Sequence, residues 1–239
     1  MIQSDIDKAP LTFLSDKWTI TVALVTLFIF MVLFIGKKIS KKHKEKYAKI
    51  LAIIMLGFFL TNHLFLFYLG KWDITKEIPI HLCSITGLIC CFIMFLPKNK
   101  RQFLFEFLFY CGIIGGIQAI LTPFIDTYGD HNYFYIQFFF KHAMIIAFPI
   151  YLRNNLGMKL TKFSWLKTWM VLNILVLIII PLNKFLDSNY MYLSEPPGVK
   201  NPMVIGEWPI YIYWWEIFVL ILILILFFFC KPKTFEKTN

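Results

Sequence analysis

Apolar residues along this chain come in long blocks rather than in alternation. Seven stretches, 18–36, 47–69, 78–96, 103–122, 133–152, 164–183 and 208–230, are dominated by Leu, Ile, Phe and Val, and the breaks between them hold most of the lysines, acids and prolines. A helix needs ~20 predominantly apolar residues to cross the hydrocarbon core of a bilayer. The pattern predicts an all-α, polytopic membrane protein with seven transmembrane helices in one domain, residues 1–239. Little chain remains for a soluble domain, so function must reside in the bundle and its short connections. Two blocks carry small-residue faces. Cys83, Thr86, Gly87 and Cys90 follow helical spacing in the third, and Gly112/Gly116 and Gly115/Ala119 form overlapping small-xxx-small pairs in the fourth. Such faces let neighbouring helix backbones approach closely. The last block is apolar all round from Ile217 to Phe229 and reads as a lipid-facing anchor. Its start, with Trp208, Tyr211, Tyr213, Trp214 and Trp215, is the aromatic belt expected at headgroup level.

Composition agrees with this pattern: 59% of residues are hydrophobic and 19% aromatic, and the mean hydropathy is +0.67. The net charge of +10 would suggest nucleic acid in a soluble protein, but its distribution follows membrane topology instead. Lys37, Lys38, Lys41, Lys42, Lys44, Lys46 and Lys49 fill the first connection; Lys98, Lys100 and Arg101 the third; Arg153, Lys159, Lys162 and Lys167 the fifth; Lys231, Lys233 and Lys237 the tail. On the other side, Lys8, Lys17, Lys71, Lys76, Lys184 and Lys200 are balanced by Asp5, Asp7, Asp16, Asp73, Glu77, Asp187, Glu195 and Glu207. The positive-inside rule then predicts the N-terminus outside and the C-terminus in the cytoplasm. This is the expectation for a multi-pass protein of a bacterial cytoplasmic membrane, with no nucleic-acid partner. The first block follows an acidic leader and ends in lysines, the reverse of a cleavable signal peptide. The five cysteines lie within blocks or at a block end, giving neither a disulfide framework nor a CxxC zinc pattern.

Polar side chains inside spans are costly and usually mark a site or a buried pair. Asn62 and His63 fall about two turns below the outer end of block two, His81 and Cys83 at the start of block three, and Gln118 a turn below the outer end of block four. Lys141 and His142 lie ~13 Å into block five at 1.5 Å per residue, with Glu216 at a similar depth in block seven. The inner half holds only Glu106, expected to pair with Arg101, and Asn173. A site opening to the outer face explains this asymmetry, whereas a transporter would gather its polar groups at the midplane. The long outer connection, Asp187 to Glu207, carries Asn189 and several prolines and is a candidate rim or lid.

In the stretch HLCSI, His81 and Cys83 are two residues apart, about 200° around a helix, so they do not face each other. A thiol in apolar surroundings needs an imidazole within hydrogen-bond reach to act as a nucleophile. His142 is the favoured partner for Cys83 and His63 the alternative; Lys141 is expected to pair with Glu216. Gln118, Asn62 or His81 would supply a hydrogen bond to a developing oxyanion. Taken singly, a buried cysteine is usually a small hydrophobe and a membrane histidine a link between helices. His63, His81, Cys83 and His142 lack the fixed spacing of a metal site, so neither metal nor cofactor is expected.

The strings EIPIHLCSITGL, FYCGIIGGIQAILTP, FFFKHAMII, NYMYLSEPP and GEWPIYI, in this order, resemble the YwaF-type bacterial membrane proteins, which are similar to the animal transmembrane protein 164. That animal protein is regarded as an acyltransferase acting on lysophospholipids, with an essential cysteine and a histidine two spans later; distant relatives are small membrane hydrolases. The resemblance implies Cys83 and His142 as the corresponding pair, and a membrane phospholipid or lysophospholipid as partner. The chain departs from most bacterial members in having Ser84 where they have an acid, and Gly198, Val199 and Lys200 where they have a serine-rich run. The leading reading is an acyltransferase or related lipid hydrolase with a cysteine nucleophile. The rival is a non-enzymatic lipid-binding or transport protein using the same outer pocket.

Overall fold

The computed structural model describes residues 11, 13–125, 132–198 and 204–235; Asp5, Asp7, Lys8, Lys200 and Lys237 of the charge pattern lie outside them. The described residues contain helices and no strand: α1 Asp16–Lys38, α2 Lys44–Tyr68, α3 Leu82–Phe92, α4 Lys98–Leu121, α5 Asn132–Leu156, α6 Ser164–Leu186 and α7 Ile210–Cys230. The first begins where the sequence dictates: Ser15 caps it, accepting from the Trp18 N–H at 3.2 Å, with Asp16 in the first turn and Lys37 and Lys38 in the last. Each charge thus complements the helix dipole.

Six of the helices are long and apolar enough to cross a membrane, and α3 is the exception. The apolar block 78–96 predicted a full span. Instead its 11 α-helical residues and the 3 residues of the 3₁₀ turn Ile93–Phe95 reach only ~21 Å at 1.5 Å per residue, against ~30 Å of hydrocarbon. Pro79 and Pro97 bracket the element, and the residue before a proline is biased away from helical geometry. A short helix can sit here because it packs against three others, α2, α4 and α5, with Thr86, Gly87, Cys90, Cys91, Ile93 and Met94 buried and Phe92 and Phe95 exposed.

Helices α4 and α5 form the middle of the bundle, and α5 packs against α1, α2, α3 and α4. The two are pressed together by glycine. A Cβ on Gly112 would stand 2.5 Å from the Ile145 carbonyl oxygen, and one on Gly116 would stand 2.6 Å from Ile146 Cγ1 and 3.0 Å from the His142 carbonyl oxygen. The small-residue stripe of block four therefore does what its spacing predicts. A feature invisible in the apolar pattern is a π turn at Leu108–Gly112. The extra residue in that turn rotates the face before it relative to the face after it. Tyr110 consequently meets Ser164 of α6, hydroxyl to hydroxyl at 2.8 Å, while Gly112 and Gly116 meet α5.

Hydrogen bonds define the bundle's two ends. At the basic end, Arg101 donates to the carbonyls of Leu96 and Met94 and pairs with Glu45 at 3.3 Å, Tyr151 donates to the Lys44 carbonyl, and Arg153 to that of Cys230. At the other end Trp18 donates to the Leu121 carbonyl and the hydroxyls of Thr21 and Tyr135 lie 2.6 Å apart. The expected pairing of Arg101 with Glu106 does not occur. The guanidinium is turned toward the end of α3 and the start of α2, while the Glu106 carboxylate, fully buried, accepts from Gln102 Nε2 at 2.8 Å and from the Thr161 N–H at 2.9 Å. It thereby holds the connection that leads into α6.

Gly112→Ala is expected to cost about 1–3 kcal/mol because the methyl meets a backbone oxygen that cannot rotate away. Gly57→Ala, where nothing lies within 4 Å, should be neutral or slightly stabilising, since alanine is the better helix former. Melting temperatures of the detergent-solubilised proteins check the contrast; equal values would contradict the close α4–α5 approach.

Candidate functional site

The short α3 has a chemical consequence. Residues 70–81 wind in turns: Asp73 Oδ1 accepts the Thr75 N–H at 2.9 Å, and its carbonyl accepts from Lys76 and Glu77. The Thr75 N–H holds the Asp73 carboxyl below its ordinary value. These turns deliver His81 as the residue before the helix and Cys83 as the second residue within it. The backbone N–H groups of Leu82 and Cys83 lie in the first turn, have no intrahelical acceptor, and make no hydrogen bond among the described residues. The thiol therefore stands at the N-terminal turn of α3, beside unpaired backbone N–H groups of the kind that suit a nearby oxyanion.

Cys83 packs on α4. Its sulfur lies 3.3 Å from where a Cβ on Gly115 would be, and the next residue, Gly116, receives the His142 backbone. The predicted nucleophile and the predicted base are thus brought to adjacent flanks of one turn of α4. Their side chains are not hydrogen-bonded to each other. Thr86, fully buried, donates back to the Leu82 and Cys83 carbonyls at 3.0 and 3.1 Å and steadies that first turn.

Hydrogen bonds distinguish the three histidines of the region. His142, almost fully buried, has Nδ1 2.6 Å from the Phe138 carbonyl oxygen. A carbonyl only accepts, so in the neutral ring Nδ1 carries the proton and Nε2 the lone pair. His63 and His81 are the reverse. His63 Nδ1 accepts from Trp72 Nε1 at 3.1 Å, and His81 Nδ1 accepts from the Met191 N–H at 3.1 Å. Their neutral rings carry the proton on Nε2. One neutral imidazole thus keeps its lone pair on Nε2 and the other two keep an N–H there.

A compact segment, residues 188–195, covers this end of α3. Fully buried Tyr190 donates to the Ile74 carbonyl and accepts the Ile78 N–H at 3.0 Å, and burial pushes its phenol up from the ordinary value. Buried Asn183 clamps the segment to α6, donating to the Tyr190 carbonyl at 2.9 Å and accepting from the Tyr190 N–H and the Ser188 hydroxyl. Tyr211 of α7 donates to the Tyr192 carbonyl at 2.6 Å, and Trp208 to that of Leu193 at 2.9 Å. Met191 and Tyr192 hold positive φ of 56° and 54°, sparsely populated values for such side chains, which cluster where surrounding structure enforces them. The Met191 N–H that meets His81 comes from this enforced turn.

The remaining sequence candidates separate. Lys141 lies within electrostatic reach of Cys83, His142, His81, His63 and Glu77, so it belongs to the cluster. Its expected ion pair with Glu216 is absent, because Glu216 on α7 instead accepts from Asn173 Nδ2 of α6 at 3.0 Å. Asn189 organises its own loop, bonding the Ser194 and Glu195 N–H groups and the Glu195 carbonyl. The side chains of Asn62 and Gln118 make no hydrogen bond among the described residues and stay half-buried at the margin. A groove of about 420 Å³ lined by Thr61, Leu64, Phe65, Tyr68 and Tyr133 opens between α2 and α5, away from the Cys83 sulfur. Sequence reasoning missed Trp72 and Asn183, read Thr86 only as part of a small-residue face, and met Tyr190 only within NYMYLSEPP. Among the described residues no group of three or more His, Cys, Asp or Glu is arranged to hold a metal ion.

Six long apolar helices and a short seventh packed against α2, α4 and α5 make this a multi-pass α-helical membrane protein. The chain belongs to the TMEM164 family, whose model matches residues 12–227. Neither the curated proteins nor the solved structures give a significant match.

Asn183→Ala removes three hydrogen bonds and leaves buried groups of Tyr190 unpaired, at an expected cost of about 2–4 kcal/mol. Hydrogen exchange should accelerate over residues 188–195 and 78–83 while the α4–α5 core stays protected. Uniform acceleration, or none, would contradict the clamp.

Proposed function

We propose that this protein is a membrane acyltransferase whose nucleophile is Cys83 and whose base is His142, opening to the outer leaflet of a bacterial cytoplasmic membrane with the N-terminus outside. The observation that carries the reading is the contrast among the histidines. His142 keeps a lone pair on Nε2, and its backbone lies against the α4 turn that seats Cys83, whereas the Nδ1 lone pairs of His63 and His81 are taken up by Trp72 and Met191. The orientation is supported by the basic end of the bundle, which the positive-inside rule assigns to the cytoplasm.

In the reaction, His142 Nε2 takes the Cys83 proton and the thiolate attacks the ester carbonyl carbon of a phospholipid. The carbonyl oxygen becomes an oxyanion, facing the N–H groups of Leu82 and Cys83 and the Nε2–H of His81 or His63. The tetrahedral adduct collapses, the C–O bond breaks, and the departing lysolipid alkoxide recovers the proton from the imidazolium. A thioester on Cys83 remains. An acceptor hydroxyl, that of a lysophospholipid, then gives its proton to His142 and attacks the thioester carbon, and the released thiolate is reprotonated. Water in place of the acceptor turns the same sequence into hydrolysis. A 1 Å misplacement of thiol or imidazole is costly for such chemistry, which gives the close α3–α4–α5 packing a purpose.

The test is intact-mass spectrometry of the detergent-solubilised protein after exposure to a lipid-like activated ester. The wild type should gain one acyl mass, sensitive to hydroxylamine as a thioester is, and Cys83→Ser should gain none. His142→Gln should lower the rate by about 10²–10⁴-fold, the usual size of a general-base contribution. His63→Gln should lower it far less, since its lone pair is occupied by Trp72. An adduct that persists in Cys83→Ser, or none in the wild type alongside retained lipid binding, would favour the non-enzymatic lipid-binding reading.

A further inference from the structure

Among the described residues, four buried side-chain polar atoms have no hydrogen-bond partner: Glu106 Oε2, Thr161 Oγ1, Thr168 Oγ1 and Trp169 Nε1. They are not scattered over the bundle. Glu106 is on α4, Thr168 and Trp169 are on α6, and Thr161 lies just before α6, which packs against α4. Two polar strips meet along this seam. Gln102, Glu106 and Tyr110 recur at every fourth position of α4, and Thr161, Ser164 and Thr168 are three and four residues apart, the spacings that place side chains on one helix face. Hydrogen bonds tie the strips together. Gln102 Nε2 donates to Glu106 Oε1 at 2.8 Å and to the Lys159 carbonyl at 2.9 Å, Glu106 Oε1 also accepts the Thr161 N–H at 2.9 Å, and the hydroxyls of Tyr110 and Ser164 lie 2.8 Å apart. Glu106, Tyr110, Ser164 and Thr168 are all at 0% exposure.

Buried polar groups are nearly always paired, and a set of them left unpaired by protein calls for an ion or water. The chemistry of these atoms decides between the two. Protonation does not satisfy Glu106, because a hydrogen on Oε2 would find no acceptor within reach. A cation would serve the carboxylate and the hydroxyl oxygens but not the Trp169 N–H, which faces the Glu216 carboxylate of α7 and falls short of a hydrogen bond to it. The Tyr110–Ser164 contact uses one hydroxyl hydrogen and leaves the other without an acceptor. A carboxylate oxygen, hydroxyls and an indole N–H together need a partner that both donates and accepts. Water does both, and buried waters typically serve two to four such groups each.

We infer that the α4–α6 seam is a binding site for a file of ordered water, entered from the basic end of the bundle and running inward past Glu106 to Thr168 and Trp169. Gln102 and Thr161 are half-buried at its mouth, beside exposed Lys159 and Lys162. From Ser164 to Trp169 the helix rises ~8 Å at 1.5 Å per residue, which sets the length of seam the waters bridge beyond the mouth. The file joins the buried carboxylate of Glu106 to solvent on the basic side. Cys83 is at the opposite end of the bundle, so the inference is independent of acyl transfer.

The test is X-ray radiolytic labelling of the detergent-solubilised protein, in which hydroxyl radicals formed from water oxidise the side chains beside that water. Tyr110 and Tyr151 are both fully buried, but the Tyr151 hydroxyl is satisfied by the Lys44 carbonyl at 2.8 Å. Tyr110 should be oxidised severalfold faster than Tyr151. After rapid mixing into isotopically labelled water, the oxygen added to Tyr110 should take up the label more slowly than that added to exposed Tyr213. Thr168→Val gives a second readout. In a dry seam, replacing an unpaired hydroxyl with a methyl raises stability; where the hydroxyl holds water, the change lowers both the melting temperature and the labelling of Tyr110, and Thr168→Ser retains both. Equal oxidation of Tyr110 and Tyr151, label uptake at Tyr110 as fast as at Tyr213, or a Thr168→Val melting temperature at or above that of the wild type overturns the inference.

Discussion

The close approach of α4 and α5 at Gly112 and Gly116 is the constraint on which the rest depends. Two backbone carbonyls of α5, those of His142 and Ile145, lie where side chains on α4 would otherwise stand. In lipid no hydrophobic effect drives helices together, so contact this close must come from packing and from polar contacts between the helices. The approach fixes the depth of His142 against α4, and Gly115, one residue before Gly116, fixes that of Cys83 on α3. The π turn just before Gly112 lets the same helix serve two partners, presenting Tyr110 to α6 and its glycines to α5.

From that constraint follows the role of the short helix. Because α4 and α5 are in contact, with α2 beside them, α3 has three helices to pack on and is held without reaching across the bilayer. Its half-buried N-terminus falls at the end of the bundle opposite the lysine-rich connections, and a helix N-terminus brings unpaired N–H groups and a positive field to whatever lies there. The cover of Tyr190, Met191 and Tyr192 then decides which nitrogen of His81 is free, just as Trp72 decides for His63 and Phe138 for His142. Three imidazoles of the same chemistry acquire two roles through the hydrogen bond each makes away from the cluster.

Much of this was legible in the sequence, and the parts that were not have physical causes. The helical class and the small-residue stripes follow from periodicity and composition, which local sequence carries directly, whereas the expected bias of buried polar groups to one end misses Ser164 and Thr168, buried with Glu106 at the basic end. Block three misled because hydropathy cannot tell a lipid-facing span from a short helix walled in by its neighbours; Ile78 and Ile80 are as apolar as the helix they precede, and only Pro79 hinted that it starts later. Both expected ion pairs failed for one reason. Charges were paired by depth, whereas partner choice depends on which faces of the helices meet: Arg101 turns to Glu45, and Glu216 to Asn173. The clamp at Asn183 was unreadable because it joins residues seven apart through a turn whose positive φ values no motif announces. The cysteine, the histidines and Lys141 stood out because polar groups are conspicuous in an apolar chain; which ring nitrogen of each histidine is occupied rests on contacts that only the fold creates.

The polar cluster at one end is the arrangement expected of a site entered from that face, and membership of the TMEM164 family gives it a setting in membrane biology. The central claim is that one of five cysteines is chemically set apart by a helix N-terminus and an imidazole with a free lone pair. The most direct measurement is the rate at which each cysteine of the intact, folded protein is alkylated by a small membrane-permeant maleimide, resolved by peptide mass spectrometry. The account predicts that Cys83 reacts fastest and that its rate alone falls in His142→Gln, while Cys90, Cys91 and Cys111, buried in the core, react slowly in both. A Cys83 rate no greater than theirs, or one indifferent to His142, would contradict it.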